Sequence, residues 1–217
     1  AMRLSSSPMS MVGASMLGLR PVMELMFWSF ATVAYDQIVN NAAQIRYMSG
    51  GLINCPIVIR GPANGGTNVG ATHSHTPENW FAAIPGLKVV NAATAYDAKG
   101  LMKTAIRDDS PVVIFEDKVM YRVKGPVPEG DYAIPFGRAA VRRDGSDVTV
   151  VTWGALVQRS LLAAQQAEKD GVSVRVLDLR TIAPCDWDAI GTAVRETNRI
   201  VVAHEDTLTA GFGAEIA

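Results

Sequence analysis

Short apolar runs alternate with segments of helical periodicity along the first half of the chain. The runs are apolar on both faces, which is typical of parallel strands buried between helices. They predict strands at residues 21–26, 56–59, 87–90 and 111–115, with a turn at 60–62. Apolar positions spaced by three and four residues predict helices at 31–48 and 96–106. The pattern therefore predicts an α/β fold, in which helices cover both faces of a parallel sheet.

A segment rich in proline and glycine, at residues 124–131, interrupts this alternation and has the composition of a linker. Beyond it the pattern restarts, with strands predicted at 148–152, 172–177 and 200–203 and helices at 156–169 and 187–196. Residues 213–217 fall inside what the pattern predicts as a further helix. We therefore expect two α/β domains, at 1–123 and 137–217, joined by a linker at 124–136, with the second domain incomplete.

The charge balance narrows the classes of partner. The chain has 217 residues, a net charge of -1 and 19% charged residues, which argues against a nucleic acid partner. The longest apolar stretch, residues 21–35, contains Glu24 and is too short to span a membrane. The two cysteines, Cys55 and Cys185, form no CxxC motif, which favours a reducing, cytoplasm-like compartment.

The opening segment, residues 1–18, is rich in methionine, serine and glycine and allows two interpretations. Its composition is that of a signal or transit peptide. It also fits the end of a strand-and-helix unit whose beginning is not in the sequence. The second interpretation is favoured.

Two of the three histidines, His73 and His75, lie between a glycine-rich loop at 61–70 and a predicted helix start. The loop follows a predicted strand end, and open parallel sheets bind ligands outside the carboxyl ends of their strands. Both histidines are therefore placed to face a ligand. A half-built metal site and a structural, hydrogen-bonded pair stay open as alternatives. The loop itself matches neither of the common glycine-rich phosphate-binding motifs.

Three aromatic residues, Phe27, Trp28 and Phe30, follow the first predicted strand. They form either a ring-stacking platform for a ligand or part of the core. Residue type alone favours the core, because large aromatic side chains dominate protein interiors.

Several spaced motifs resemble the beta subunit of the decarboxylating component of 2-oxo-acid dehydrogenase complexes. They follow the family's order over nearly the whole chain: YDQIVNN at 35–41, YMSGG at 47–51, PIVIRGP at 56–62, THSH at 72–75, IPGLKVV at 84–90, DAKGL at 97–101, AIRD at 105–108 and GFGAEI at 211–216. Agreement among many spaced motifs is more specific than any one of them. Pyruvate, branched-chain 2-oxo-acid and acetoin dehydrogenases share this subunit type, and the motifs do not decide among these substrates.

This resemblance implies a thiamin-diphosphate-binding fold, with a pyrimidine-binding domain followed by a transketolase C-terminal-type α/β domain. The implied activity is oxidative decarboxylation of a 2-oxo acid, with transfer of the acyl group to a lipoyl domain. Thiamin diphosphate is expected between an alpha and a beta subunit, where the alpha subunit holds the diphosphate through Mg²⁺ and a Gly-Asp-Gly motif. No Gly-Asp-Gly occurs in this sequence, so activity is expected only with an alpha-type subunit.

The resemblance also implies how the protein assembles and where it works. The expected partners are alpha-type subunits, in a heterotetramer of two alpha and two beta chains. A second expected partner is the lipoyl acyltransferase core of the complex. The expected compartment is the cytoplasm of a bacterium or, in a eukaryote, the mitochondrial matrix.

Individual residues take roles from the same resemblance. His73 matches the active-site histidine, which is expected to orient or protonate intermediates when the lipoyl group is acylated. Phe30 matches the aromatic residue packed against the aminopyrimidine ring, and Met26 matches a neighbouring pocket residue. Some relatives bind a structural potassium ion, mostly through backbone carbonyls, at positions matched here by Ile57, Ala105, Asp108 and Ser110.

One departure from the family concerns a residue that contacts the cofactor. The family has a glutamate just after a Pro-x-Ser, where it hydrogen-bonds the pyrimidine ring. Here Pro8-Met-Ser10 continues directly into Met11, so about two helical turns and the glutamate are missing. Either the chain is a non-catalytic scaffold subunit, or a mobile segment has been left out between Ser10 and Met11. The second interpretation is favoured because the surrounding pattern is intact.

Overall fold

Strands and helices alternate through residues 7–217, the part of the chain that the computed structural model describes. Residues 1–6 of the opening segment lie outside it. The strands of the described part, β1 to β9, are Val22–Glu24, Val58–Ala63, Lys88–Asn91, Val112–Asp117, Ala140–Arg143, Val148–Thr152, Val174–Asp178, Thr181–Ala183 and Ile200–Ala203. Its α-helices, α1 to α8, are Pro8–Met16, Ala31–Asp36, Ile45–Met48, Glu78–Ala82, Ala95–Arg107, Ala155–Lys169, Trp187–Thr197 and Phe212–Ile216.

The strands form two sheets. The first has the order β1-β2-β4-β3-β8, in which the first four strands are parallel. The second has the order β5-β7-β6-β9 and is parallel except for the edge strand β5. The prediction of an α/β fold with parallel sheets is therefore confirmed. Strand β8 belongs to the second half of the chain and pairs antiparallel with β3 of the first half.

Alternate residues of the central strands pack into different cores. In β4, Val112 and Ile114 pack with Leu101 of α5, whereas Val113 and Phe115 join the core that contains α2. In the second sheet, α6 and α7 likewise pack on different faces. Side chains alternate between the two faces of a strand, so each central strand is covered on both sides. The predicted helices on both faces are thus present.

The turn predicted at 60–62 is wrong, because β2 continues through these residues to Ala63. Strand β1 pairs with β2 only as far as Arg60, so β2 beyond this point bonds to β4 alone. A proline without an N–H is tolerated where one side of a strand has no partner. A Cβ on Gly61 would lie 2.5 Å from the carbonyl oxygen of Leu25, so only glycine fits this close approach.

The helix predicted at 31–48 is present but is not a uniform α-helix. Between α2 and α3 the segment Gln37–Ala43 is π-helical. The Asp36 carboxylate accepts hydrogen bonds from Asn40 Nδ2 at 2.8 Å and from Asn41 Nδ2 at 3.3 Å. Polar side chains that bond within their own helix compete with the regular backbone pattern, and the apolar spacing does not reveal this.

Helix α1 runs from Pro8 to Met16 without interruption, and Ser10 and Met11 are consecutive helical residues. The Ser7 side chain caps it by accepting a hydrogen bond from the Ser10 backbone N–H at 3.2 Å. The expectation that a segment has been left out between Ser10 and Met11 stays a prediction. The helix contains no acidic residue. It fits the interpretation of the opening segment as part of a strand-and-helix unit.

The predicted linker differs between its two ends. Residues 124–131 are exposed, whereas Ile134 is buried and its N–H bonds to the Gly100 carbonyl at 3.2 Å. The second part of the segment thus packs on α5, and the division into two domains with these bounds stays a prediction. In the described range, each helix is too short or too polar to cross a membrane.

Candidate functional site

The carboxyl ends of β1, β2 and β4 surround His73. The residue closes a single helical turn, Ala71–His73, in the loop that follows β2. Two rings from the segment after β1 meet the imidazole edge-on: the ring centroid of Phe27 lies 5.0 Å away and that of Phe30 lies 5.2 Å away. Thr72 Oγ1 lies 3.0 Å from Nδ1 of His73. This pairing occupies one ring nitrogen and leaves Nε2 for proton exchange with a ligand.

The three aromatic residues after β1 have different surroundings. Trp28 is fully buried, donates from Nε1 to the Ile114 carbonyl at 3.1 Å and packs on Phe115. Phe27 and Phe30 instead contact His73. Trp28 therefore packs in the core, whereas a ring surface for a ligand at Phe27 and Phe30 stays a prediction. Phe30 is 36% exposed and Met26 is 69% exposed, so both are available to a ligand.

His75 points away from the corner that holds His73. Its ring lies 5.8 Å from that of Trp80, and its carbonyl accepts a hydrogen bond from the Asn64 N–H at 2.9 Å. The two histidines thus have different ring neighbours. Among residues 7–217 no three His, Cys, Asp or Glu side chains are grouped so that they could bind a metal ion.

Of the four residues matched to a potassium site, Ala105, Asp108 and Ser110 are linked by hydrogen bonds, and Ile57, just before β2, bonds to Val112 of β4. The Ile57 carbonyl accepts from the Val112 N–H at 2.9 Å, and the Ala105 carbonyl accepts from the Asp108 N–H at 3.3 Å. Ser110 donates its N–H to the Asp108 carboxylate at 2.9 Å. Two cationic side chains already bond to Asp108: Arg20 donates to its carbonyl at 2.8 Å, and Lys88 pairs with its carboxylate. Occupation by potassium stays a prediction.

Glu78, the first residue of α4, is a buried acid that the sequence did not reveal. It is 1% exposed, and its Oε1 accepts a hydrogen bond from Trp153 Nε1 at 2.9 Å. Its Oε2 has no partner among the described residues. Burial raises the pKa of Glu78 to about 7, against the opposing hydrogen bond from Trp153. An acid at a helix start is ordinarily exposed, and this one is covered only by distant residues.

The cover over Glu78 comes from the second half of the chain. Trp153 stacks on His204 with ring centroids 5.1 Å apart, and Glu205 and Asp206 follow. Burial raises the pKa of both Glu205 and Asp206 and lowers that of His204. The negative charges of Asp206 and Glu205 also raise the pKa of Glu78, so acid groups of the two halves lie near each other.

Sequence reasoning also missed Lys118, which directly follows β4. Its ammonium donates a hydrogen bond to the backbone carbonyl of His73 and lies 5.1 Å from the centre of the Phe27 ring. Burial lowers the pKa of Lys118, while the charges of Asp117 and Glu205 oppose this. The only signal in the sequence is a lysine next to an acid at a strand end, and this signal is common.

Two family matches cover most of the chain. Residues 9–124 match the family described as the transketolase pyrimidine-binding domain, and residues 137–217 match the transketolase C-terminal domain. A solved structure described as a split-gene transketolase, an inactive beta4 tetramer, is similar with a TM-score of 0.79 and 26% sequence identity. That similarity covers 94% of this chain and 64% of the other.

Curated relatives give the same picture. The chain is 46% identical over 207 residues to the 2-oxoisovalerate dehydrogenase subunit beta of Bacillus subtilis. It is 48% identical over 206 residues to the pyruvate dehydrogenase E1 component subunit beta of Rickettsia felis. Each alignment covers 95% of this chain and 63% of the relative. The acetoin:2,6-dichlorophenolindophenol oxidoreductase subunit beta of Cupriavidus necator is 46% identical, with 95% of this chain and 61% of the relative covered. The chain thus spans less than two thirds of these relatives.

Proposed function

Because the chain belongs to the family with transketolase pyrimidine-binding and C-terminal domains, we propose that it is the beta-type subunit of a thiamin-diphosphate-dependent 2-oxo-acid dehydrogenase. The observation that carries the proposal is the corner formed by Phe27, Phe30 and His73 at the carboxyl ends of the parallel strands. Open parallel sheets bind ligands at this edge. An imidazole beside two aromatic rings suits proton transfer next to an aromatic cofactor.

The residues present fit one part of thiamin diphosphate and lack another. The exposed ring of Phe30 and the exposed side chain of Met26 offer an apolar surface on which an aminopyrimidine ring can pack. Helix α1 has no acid to hydrogen-bond that ring. The diphosphate and its Mg²⁺ fall to the alpha subunit in our proposal, since this chain contains no Gly-Asp-Gly. K⁺ at Ile57, Ala105, Asp108 and Ser110 is a further part of the proposal.

The cofactor supplies the chemistry that breaks the bond beside the keto group, and this chain supplies position and a proton. Phe30 and Met26 hold the ring, and Phe27 and Phe30 fix the imidazole of His73 from two sides. Nδ1 of His73 faces Thr72, so Nε2 gives or takes the proton during acyl transfer to the lipoyl group. The proposed assembly has two alpha and two beta chains and docks on a lipoyl acyltransferase core. It works in a bacterial cytoplasm or a mitochondrial matrix.

Two alternatives each rest on a specific observation. Acetoin replaces the 2-oxo acid as substrate in the first, because a subunit of an acetoin oxidoreductase is as similar, at 46% identity, as the 2-oxoisovalerate subunit. The second is a non-catalytic scaffold subunit, favoured by the sequence, in which the expected glutamate does not follow Pro8-Met-Ser10.

Co-purification with an alpha-type dehydrogenase subunit, followed by assays with pyruvate, 2-oxoisovalerate and acetoin, tests the proposal. We expect a stable complex that binds thiamin diphosphate, measured by calorimetry, and turns over one of the three substrates. Phe30→Ala should weaken cofactor binding in the complex, whereas the surface substitution Leu208→Ala should not. A complex that forms but binds no cofactor supports the scaffold subunit, and the absence of any complex refutes both.

A further inference from the structure

The loop that carries His73 is tied to the strand ends at two carbonyl groups. The His73 carbonyl accepts a hydrogen bond from Lys118, which directly follows β4. The His75 carbonyl accepts from the Asn64 N–H at 2.9 Å, and Asn64 follows β2. The Asn64 side chain in turn donates to the buried Asp117 at 2.8 Å. The two anchors therefore meet at Asp117 and Lys118, which are neighbours in the chain.

Lys118 reaches His73 by a second route, through an aromatic ring. Its Nζ lies 5.1 Å from the centre of the Phe27 ring, and the same ring meets the His73 imidazole edge-on at 5.0 Å. A cation over a ring face restrains the ring by about 0.5–2 kcal/mol, depending on its exposure to water. The ammonium thus holds both the backbone of His73 and one of the two rings that fix its side chain.

Acidic residues from both halves of the chain favour the charged form of Lys118. Asp117 belongs to β4, and Glu205 comes from the segment after β9. Their negative charges raise the pKa of Lys118 against the effect of burial, which is the larger one and lowers it. Asp117 itself is fixed, because its carboxylate also accepts the Val119 N–H at 2.9 Å. The ammonium of Lys118 therefore has the His73 carbonyl as an acceptor and two negative charges nearby.

We propose that Lys118 is a positioning residue for His73, which sets the place of the imidazole through the His73 carbonyl and the Phe27 ring. This inference rests on the proposed function of His73 in acyl transfer. A displacement of about 1 Å in a reacting group lowers a rate by about 10²-fold, so a lost anchor at the backbone of His73 should be visible in catalysis. Lys118 itself needs no contact with the substrate for this role.

Lys118→Met in the complex with an alpha-type subunit tests the role, because methionine keeps the apolar stem and removes the charge and the donor. We expect kcat for acylation of a lipoyl domain to fall about 10–100-fold, with KM for the lipoyl domain and the unfolding temperature nearly unchanged. Lys118→Arg keeps a cation and several donors, so kcat should return to within about threefold of the parent.

The chain offers a matched control in Lys99. Its ammonium also donates to a backbone carbonyl, that of Pro128, and lies 5.0 Å from the centre of the Tyr132 ring. These contacts are remote from His73, so Lys99→Met should leave kcat unchanged. An equal loss in Lys99→Met and Lys118→Met, or no rescue by Lys118→Arg, would overturn the inference. Absence of turnover by the parent complex would instead refute the proposed function, so the two failures are distinguishable.

Discussion

The imidazole of His73 contacts two aromatic rings and the Thr72 hydroxyl, and this arrangement leaves Nε2 for proton transfer. We expect His73→Ala in the assembled enzyme to lower the rate of acyl transfer to a lipoyl domain by about 10²–10⁴-fold, the usual contribution of a positioned proton-transfer group. Decarboxylation coupled to an artificial electron acceptor should fall much less, because that assay bypasses the lipoyl group. Steady-state kinetics with both acceptors provide the measurement.

His75 supplies the control for this experiment. It lies in the same loop, but its ring is turned towards Trp80 rather than towards Phe27 and Phe30. His75→Ala should therefore have a small effect in both assays. Equal losses in the two assays for His73→Ala would contradict a lipoyl-specific role, and no loss at all would make His73 structural.

The raised pKa of Glu78 determines the direction in which this group changes the free energy of unfolding with pH. Its pKa rises from 4.5 to about 7 in the folded chain, so the folded state binds this proton more tightly than the unfolded state does. The free energy of unfolding is thus highest, with respect to this group, below pH 4.5 and falls as the pH rises to about 7. Between pH 5 and pH 8 the free energy of unfolding of the parent chain should fall by about 2–3 kcal/mol more than that of Glu78→Gln, whose side chain stays neutral.

Denaturant unfolding at the two pH values measures this difference. Glu168→Gln is the control, since the Glu168 side chain is 66% exposed and should leave the pH dependence unchanged. A parent chain and a Glu78→Gln variant with parallel stability curves from pH 5 to pH 8 would show that Glu78 is ionised in the folded state.

At the scale of elements, the sequence predicted the buried central strands and the edge strands β1 and β9, but it missed the edge strands β5 and β8. The runs around Ile57, Val89 and Val113 are apolar throughout because both of their faces are covered, and this leaves a clear signal. Strand β5 carries Arg142 and Arg143 and lies at a sheet edge, so its composition gave no strand signal. Strand β8 has three residues, and only its pairing with β3 makes it a strand.

The residues of the candidate site were likewise predicted only in part. His73, Phe30 and Met26 were predicted from motifs, because each lies near a recognisable run of sequence, and their roles stay predictions. Lys118 and Glu78 were missed, because their roles depend on contacts with residues far along the chain. Glu78 is 75 residues from Trp153, its hydrogen-bond partner. Local pattern carries no information about such pairs, whereas it carries much about the strands and helices that bring them together.

The edge strand β5 contributes Arg142 to a buried network of ion pairs that links the second sheet to α5. Arg142 bonds to Asp178 at 2.8 Å and pairs with Asp97 of α5, and both carboxylates are fully buried. Arg180 pairs with Asp97 at 2.9 Å from the other side. Burial raises the pKa of Asp178 to about 6 although Arg142 opposes this. The charges are therefore strongly desolvated, and each depends on its partner.

Removal of one partner from such a group leaves an uncompensated buried charge. We expect Arg142→Met to lower the free energy of unfolding by about 3–5 kcal/mol. The adjacent Arg143 pairs at 3.1 Å with Glu168, whose side chain is largely exposed, so Arg143→Met should lower it by about 1 kcal/mol or less. Urea unfolding of the two variants provides the comparison, and equal effects would mean that the buried network contributes no more than a surface pair.

At the scale of the whole molecule, our proposal assigns one half of the site to another chain. We expect the purified chain alone to show no decarboxylation and to bind thiamin diphosphate poorly, because it has no Gly-Asp-Gly motif to bind the diphosphate with Mg²⁺. Addition of an alpha-type subunit should raise the affinity for the cofactor and restore turnover. Titration calorimetry of the single chain and of the complex measures both. Turnover by the single chain, free of any alpha-type partner, would contradict this prediction.

Strand β8 gives the molecule a second connection that does not depend on the covalent chain. It crosses from the second half to the edge of the first sheet and pairs with β3, beside the ions around Asp97. A single cut in the exposed residues 124–131 would therefore leave two fragments that stay joined and move as one particle in gel filtration. The same two fragments, produced separately, should associate and form the pairing between β3 and β8 again. The covalent connection between the halves thus sets their local concentration, while the non-covalent contacts of the fold direct their association.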